Sequence, residues 1–280
     1  MKKLIILTTL LLTIYSKGQK IELIESFIGY TNKSEIISFT PNPQLIMSGD
    51  YNGNINLWDL KKHKLIKTIP SHSAIINSIV FHNRKNTFLT CSKDSTIKLW
   101  SLHSNRMLDS LKITDVPTKA IFNEKGNQYF ICTKNGQIMS KYINKKKSEG
   151  ITNIKNHIYD AILSSNQKNI ITCDYESIKT ISLKSGEILS EIKNPYSSQF
   201  LKIDIYSGDT LISWSQNGMI SYWDLKTNTV VSEIRARNAY NQLLMNDYSE
   251  IILSGYYNDR PLVINLKELK LEKKYSENMI

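Results

Sequence analysis

A segment of about 41 residues occurs six times along the chain, and this period restricts the possible folds more than any other feature of the sequence. Residues 54–60 (NINLWDL) return as residues 96–102 (TIKLWSL) and as residues 219–225 (MISYWDL). Weaker copies are residues 137–142, 177–183 and 260–266. With the tryptophan position as anchor, the copies stand at 58, 100, 141, 181, 223 and 264. The chain is therefore built mainly from one repeated structural unit.

The residues inside each unit are typical of β-strands. β-Branched and aromatic residues alternate with polar ones, turn residues interrupt them every 8 to 12 positions, and no helical stripe is visible. The second unit predicts four strands, called a to d, at residues 75–81, 87–92, 96–100 and 107–112. Between strands b and c, Asn-Gly stands at 52–53, 135–136 and 217–218, which favours a tight type I′ turn.

The Trp-Asp dipeptides at 58–59 and 223–224, together with the period, resemble WD40 repeats over about residues 20–275. The resemblance implies an all-β fold, a WD40-like β-propeller of four-stranded antiparallel blades packed around a central channel. Six repeats are recognisable. Because residues 21–28 and 269–275 both have the pattern of a d strand, the sequence leaves open six blades or seven with an incomplete C-terminus.

The resemblance also implies a buried hydrogen-bond network in the second unit, formed by His72, Thr90 or Ser92, Asp94 and Trp100. Such a network satisfies an imidazole and an indole while it fixes the b–c hairpin, so its role is structural. The other members of this structural set are Trp58, Asp59, Trp223 and Asp224. In the remaining units the network is incomplete. The first and fifth have Asn52 and Asn217 at the Asp94 position, and Lys141, Ile181 and Ile264 replace the tryptophan in the other three. We expect those units to depend mainly on apolar packing.

The three cysteines, Cys91, Cys132 and Cys173, fall at about the same site on strand b, where other units carry Gly49, Trp214 and Gly255. Equivalent sites on packed sheets lie about 10 Å apart, beyond the reach of a disulfide. We therefore predict three buried, unpaired thiols that act as small apolar side chains.

The first residues predict export. Residues 1–18 combine a basic start, a short apolar run and small residues before Gln19, as a signal peptide does. The propeller would then occupy residues 19–280, in the periplasm or outside the cell. The apolar run is too short to span a membrane, and no second stretch of spanning length follows.

Sequence motifs of enzymes are missing. The chain has no GxSxG, P-loop, HExxH or CxxC motif, and its five histidines are scattered, so we expect no enzyme activity, no cofactor and no metal site. The formal net charge of +11 comes mainly from dispersed lysines. Nucleic-acid binding would favour a clustered, arginine-richer stripe, and we expect no nucleic-acid partner. The oligomeric state stays open.

The loops joining d to a and b to c should share one rim, because successive strands alternate in direction. Tyrosine and arginine are common at protein interfaces, and this rim carries Tyr30, Tyr51, Tyr175, Tyr196, Arg237, Tyr240, Tyr256, Tyr257 and Arg260. The hypothesis is a scaffold that binds another protein or peptide at this rim. Two alternatives remain: the sensor part of a longer enzyme-containing chain, and a glycan-binding propeller.

Overall fold

The structure, a computed structural model, describes residues 6–7, 27–28, 34–62, 64–82, 84–195, 198–235, 240–245, 250–255 and 262–265. Within these residues it contains strands and no helix. The strands, in chain order, are β1 Ile6–Leu7, β2 Phe27–Ile28, β3 Ser34–Phe39, β4 Leu45–Asp50, β5 Asn54–Asp59, β6 Lys64–Pro70, β7 Ile76–Phe81, β8 Thr87–Ser92, β9 Thr96–Ser101, β10 Met107–Lys112, β11 Pro117–Phe122, β12 Gln128–Thr133, β13 Gln137–Tyr142, β14 Glu149–Asn153, β15 Asp160–Leu163, β16 Asn169–Cys173, β17 Ser177–Ser182, β18 Ile188–Lys193, β19 Phe200–Ser207, β20 Thr210–Ser215, β21 Met219–Asp224, β22 Thr229–Arg235, β23 Tyr240–Met245, β24 Glu250–Gly255 and β25 Leu262–Asn265.

Strands β3 to β25 form six antiparallel sheets, one for each sequence unit, and β1 and β2 form a separate two-stranded sheet. Sheets 1 to 5 are four-stranded meanders made of β3–β6, β7–β10, β11–β14, β15–β18 and β19–β22. Sheet 6 contains β23–β25, and the d strand predicted at 269–275 lies outside the described residues. The prediction of four-stranded units is confirmed. Of the strand predicted at 21–28, the described part is β2, which pairs with β1.

The chain divides into two compact units, residues 1–157 and 158–280. In the first, sheets 1 and 2 share an apolar cluster that includes Ile55, Phe88 and Trp100, and a second cluster joins sheets 2 and 3. In the second, sheets 4 and 5 share a cluster that includes Phe200 and Trp223. Sheets 1 to 5 thus bury apolar side chains against a neighbour inside their own unit, as repeated sheets must do to be stable.

The b–c turns differ from the predicted type. A type I′ turn needs positive φ at both central residues, but here only the last turn residue has it: Gly53 (82°), Gly136 (82°) and Gly218 (86°). The amide of Gly53 donates to the carbonyl of Asp50, so the loop has three residues and ends in the left-handed region. The type I′ prediction was wrong. Asn-Gly is equally suited to this longer turn, since glycine tolerates positive φ.

A β-bulge interrupts the pairing of strands c and d in sheets 1 to 5. The unpaired extra residues on strand d are Ile66, Leu108, Ile151, Leu189 and Val231. Strand d is an edge strand of its sheet, and four of these side chains are about half exposed, between 48% and 58%. Bulges twist an edge strand and discourage pairing with another sheet.

All three cysteines are buried and none of them forms a disulfide, as predicted. Cys91 and Cys132 belong to the cluster between sheets 2 and 3. In sheet 6 the strand pairing corrects one assignment. The β24–β25 hairpin is one residue longer than predicted, since Ile251 pairs with Ile264. Ser254, not Gly255, therefore occupies the cysteine position.

Candidate interaction rim and the polar networks beneath it

In each of sheets 1 to 4, the b–c turn lies against the segment that follows strand d (the d–a segment), and we call these ends of the sheets the upper rim. In sheet 1, the carbonyl of Gly53 accepts from the amides of Ser71 (3.2 Å) and His72 (2.8 Å). A Cβ on Gly53 would stand 2.2 Å from the carbonyl oxygen of His72. The close approach of the two loops therefore requires glycine at this position.

The same backbone contact recurs in sheets 2, 3 and 4. Ser95 in sheet 2 accepts from the amide of Ile113 at 3.0 Å, and Gly136 in sheet 3 accepts from Ile154 at 3.0 Å. In sheet 4, Glu176 accepts from Asn194 at 2.7 Å. Ser95 adopts a φ of 66°, the conformation that glycine provides elsewhere. The repeated bond fixes the upper rim as a set of paired loops.

Beneath the rim, His72, Thr90, Asp94 and Trp100 form one continuous network in sheet 2. Trp100 Nε1 donates to Thr90 Oγ1 at 2.9 Å, and Thr90 Oγ1 lies 2.7 Å from His72 Nε2. His72 Nδ1 lies 3.0 Å from Asp94 Oδ2. A carboxylate only accepts, so the proton of the neutral imidazole belongs on Nδ1 and the threonine hydroxyl donates to Nε2.

Ser92, the alternative to Thr90, takes part in a different contact. Its hydroxyl donates to the carbonyl of Ala74 at 3.0 Å and accepts from the amide of Asp94 at 3.1 Å. Ser92 therefore connects the b–c turn to the d–a segment, outside the His72 chain.

Burial sets the protonation of His72, because it lowers the imidazole pKa more than the nearby Asp94 raises it. For Asp94 itself, burial acts to raise the pKa. Hydrogen bonds from Thr96, Ser73 and His72 outweigh burial and lower the pKa to about 2. The network thus holds a neutral histidine beside a carboxylate that stays ionised.

We expect the free energy of unfolding to decrease as the pH falls through about 6.5, the usual value of an unfolded histidine. Burial lowers the pKa of both His72 and His157 in the folded chain, so the unfolded chain binds these protons first. The stability they contribute is present above that pH and is lost below it. Urea denaturation across this range should show a shallower pH dependence for His72→Gln than for the wild type. An identical slope would contradict this role of His72.

Sheets 1, 3 and 4 contain polar networks of their own, which corrects the expectation of mainly apolar packing. In sheet 1, the buried Asp50 Oδ1 accepts from the amides of Asn52 (2.9 Å) and Asn54 (2.8 Å). Its Oδ2 accepts from the side-chain amide of Asn56 at 3.3 Å. Asn56 in turn accepts from the Thr68 hydroxyl at 2.7 Å. This chain of bonds joins strands b, c and d.

In sheet 3, Lys141 fills the tryptophan position and is 1% exposed. Its ammonium pairs with Asp109 of strand β10 in sheet 2 and lies 5.5 Å from the ring centre of Tyr129. The residue equivalent to Thr90 is Ile131, which offers no acceptor to an indole N–H. Lys141, whose partner Asp109 lies on the neighbouring sheet 2, therefore takes the place of the tryptophan and of the hydroxyl that would accept its hydrogen bond.

In sheet 4, Lys179 is almost fully buried and pairs with Asp174, whose side chain is 1% exposed. Glu191 of strand β18 lies 3.4 Å from the same ammonium. Ile181 occupies the tryptophan position here, and Thr172 Oγ1, at the Thr90 position, has no hydrogen-bond partner among the described residues. The Lys179 ammonium and its two carboxylate partners thus connect the b–c turn with strands c and d, in a sheet that has no tryptophan to form the hydrogen bond seen in sheet 2.

The Trp-Asp dipeptides perform two separate tasks. Trp58 Nε1 donates to Ser48 Oγ at 2.9 Å, and Trp223 Nε1 donates to Ser213 Oγ at 2.8 Å. The aspartates face the c–d turns instead. Asp59 accepts from the amide of Lys62 at 2.8 Å, and Asp224 accepts from the amide of Lys226 at 2.7 Å. They cap turns at the opposite end of the sheet from the His72 network.

The structure describes the side chains of two of the nine predicted rim residues. Tyr51 and Tyr175 both stand in b–c turns, where Tyr51 is half-buried and Tyr175 is 57% exposed. Tyr240 begins strand β23, and its side chain is outside the described part. Also outside the described residues are Tyr30, Tyr196, Arg237, Tyr256, Tyr257 and Arg260.

A further polar contact, at His82, was not predicted. His82 follows strand a of sheet 2, and its Nδ1 accepts from the amides of Arg84 (3.0 Å) and Lys85 (2.9 Å). Nε2 therefore carries the proton and donates to the carbonyl of Glu124 in sheet 3 at 3.1 Å. The sequence gives only a weak indication of this contact, because a polar residue follows strand a in each of sheets 1 to 4 and in sheet 2 that residue is histidine.

Comparison with known proteins agrees with this geometry. The family profile described as WD domain, G-beta repeat, matches residues 22–59 and 63–101. Residues 22–101 of this chain therefore match two WD40 repeats. A solved structure with the same fold is the β-propeller domain of Cps50 (Swd1) from Myceliophteria thermophila. It has a TM-score of 0.72 at 15% identity and covers 84% of this chain and 83% of that one. The fold is a WD40-like β-propeller.

Curated relatives of this chain are much longer than the match. Retinoblastoma-binding-like protein E of Dictyostelium discoideum is 24% identical over 221 residues, covering 78% of this chain and 39% of that protein. MST50-interacting protein 11 of Pyricularia oryzae is 26% identical over 123 residues, covering 43% of this chain and 38% of that protein. The chain thus matches less than half of the length of these relatives.

No helix among the described residues has the length and apolar character needed to cross a membrane. The same residues contain no group of three histidine, cysteine or acidic side chains placed to hold a metal ion.

Proposed function

We propose that this chain is an exported, non-catalytic module that binds a partner protein on its upper rim. The observation that carries this proposal is the bond between the b–c turn and the d–a segment, which is repeated in sheets 1 to 4. Because the loops are already fixed, binding would cost little ordering of the rim. The names of both curated relatives refer to binding or interaction with another protein.

Affinity capture with substituted chains tests the proposal. The purified chain would be immobilised and exposed to extract from its own cells, and captured proteins would be identified by mass spectrometry. We expect Tyr51→Ala and Tyr175→Ala to reduce capture of a specific partner. Tyr142→Ala is the matched control, because Tyr142 is 38% exposed at the end of strand c away from the rim. Equal capture by all variants, at unchanged melting temperature, would contradict binding at the upper rim.

Export is supported by the signal-like residues 1–18. A fusion of these residues to a reporter that is active only outside the cytoplasm should be active and cleaved. An inactive, uncleaved fusion would contradict export without affecting the binding proposal.

A further inference from the structure

The upper rim of sheets 2 and 3 exposes lysines. Lys93 and Lys134 each occupy the first position of a b–c turn, Lys112 ends strand β10, and Lys155 follows strand β14. All four side chains are exposed. Four cations on neighbouring loops of one compact unit create a positive potential over this part of the rim.

The carboxylates of the same rim are turned inward. Asp94 accepts from His72 and Ser73 on Oδ2 and from Thr96 on Oδ1, and its side chain is 10% exposed. Asp115 accepts from the amides of Val116 (2.7 Å) and Asn135 (2.9 Å) and is also buried. The acids that position these loops therefore leave no exposed carboxylate among the described upper-rim loops of sheets 2 and 3.

The opposite end of these sheets, which we call the lower rim, carries the a–b and c–d turns and has a different charge pattern. Glu124 and Glu149 are both 63% exposed there. They pair with Arg84 at 3.5 Å and Lys145 at 2.8 Å, respectively. Exposed acids next to exposed bases reduce the positive potential of the lower rim. The excess of lysine in the chain therefore does not by itself explain the positive potential of the upper rim.

One cleft lies on this part of the rim. It is lined by Lys93, Asp94, Ser95, Lys112, Ile113 and Thr114. Both carboxylate oxygens of Asp94 already accept hydrogen bonds from the surrounding loops, so the free donors of the cleft are those of the lysines and hydroxyls. Two ammonium groups and two hydroxyls match the hydrogen-bonding needs of a carboxylate. Ile113 is half-buried and offers apolar contact for the stem of the same side chain.

We infer that the upper rim of sheets 2 and 3 binds an acidic segment of a partner protein, with one carboxylate in the cleft between Lys93 and Lys112. This inference rests on the proposed function and names the chemistry of its partner. Nucleic-acid sites combine cations with arginine and stacking aromatic rings. The described loops that carry these lysines have neither arginine nor an exposed aromatic side chain, which favours a protein ligand.

Fluorescence anisotropy with three labelled probes tests the inference on the full chain. The probes are an Asp/Glu-rich peptide, the same peptide with Asn and Gln in place of the acids, and oligo(dT). Each is titrated against the wild type, K93E/K112E and K61E/K125E. The last variant is the matched control, since Lys61 and Lys125 are exposed on the lower rim and the change in net charge is equal.

We expect the acidic peptide to bind the wild type, more weakly at high salt, and K93E/K112E to lose about tenfold or more in affinity. The control should lose less than about threefold, as a distant screened charge does. Equal losses of affinity in both double variants would overturn the inference, as would binding of the neutral peptide as tight as that of the acidic one. It would also be overturned if oligo(dT) bound more tightly than the acidic peptide and lost the same affinity in K93E/K112E. If capture still depends on Tyr51 or Tyr175 in that case, the proposed function stands and only the acidic partner is wrong.

Discussion

Asp174→Asn is expected to lower the free energy of unfolding by about 3 kcal/mol, because it leaves the buried ammonium of Lys179 without its main counter-ion. Both side chains are at most 7% exposed. Asparagine keeps a side-chain oxygen for the amides of Glu176 and Ser177, which now bond to Asp174 Oδ1 at 2.8 Å. The loss therefore measures the ion pair and not the turn. Urea denaturation followed by circular dichroism gives the change.

Two further variants isolate the cause of this loss. Asp209→Asn removes a carboxylate of sheet 5 that pairs with Lys226 at 2.9 Å, where the side chains are 55% and 77% exposed. It should leave stability unchanged, because such pairs contribute little. Asp174→Asn combined with Lys179→Met should recover part of the loss, since the unpaired charge is gone. A double variant as unstable as Asp174→Asn would show that Lys179 does not cause the effect.

The fold was predictable because its determinants are local and repeated. The tryptophan anchors at 58, 100 and 223 and the alternation in each unit indicated the strands, and the structure has them within a residue or two in sheet 2. The His72 network could be assigned because all of its members lie within 29 positions of one another. Patterns of this kind can be read without knowledge of the neighbouring sheets.

The ion pairs could not be predicted in the same way. Lys141 and Ile181 indicated only that the tryptophan was missing, since its replacement depends on a partner chosen by strand register. Asp109 lies 32 residues before Lys141 and on another sheet. Asp174 lies close to Lys179 in sequence, but similar acidic and basic pairs occur throughout the exposed turns. Nothing local showed that this pair is buried.

The sequence predicted the position of the candidate site better than it predicted which side chains the site exposes. Strand alternation placed the b–c turns and d–a segments on one rim, and the bonds at Gly53 and Gly136 join them. The sequence emphasised tyrosine and arginine on that rim, whereas the described loops of sheets 2 and 3 expose lysine. The reason is that Asp94 and Asp115 are withdrawn into the turns, which formal charge alone does not reveal.

Asp109→Asn is expected to lower the free energy of unfolding by about 2 kcal/mol, somewhat less than Asp174→Asn, because Asp109 is partly solvated. Its side chain is 33% exposed, whereas that of Lys141 is 1% exposed. Lys141→Met keeps a long apolar stem in the tryptophan position and removes the buried charge, so it should cost less than about 1 kcal/mol. Thermal and urea denaturation of each variant give these differences.

The double variant decides whether the pair stabilises the fold or only avoids an unpaired charge. If Lys141 is tolerated because Asp109 neutralises it, Lys141→Met with Asp109→Asn should be no less stable than Lys141→Met alone. The coupling free energy then nearly equals the whole cost of Asp109→Asn. Additive losses would mean that each residue acts through separate contacts, and sheet 3 would then depend on Tyr129 and Ile131 rather than on a cation in the place of tryptophan.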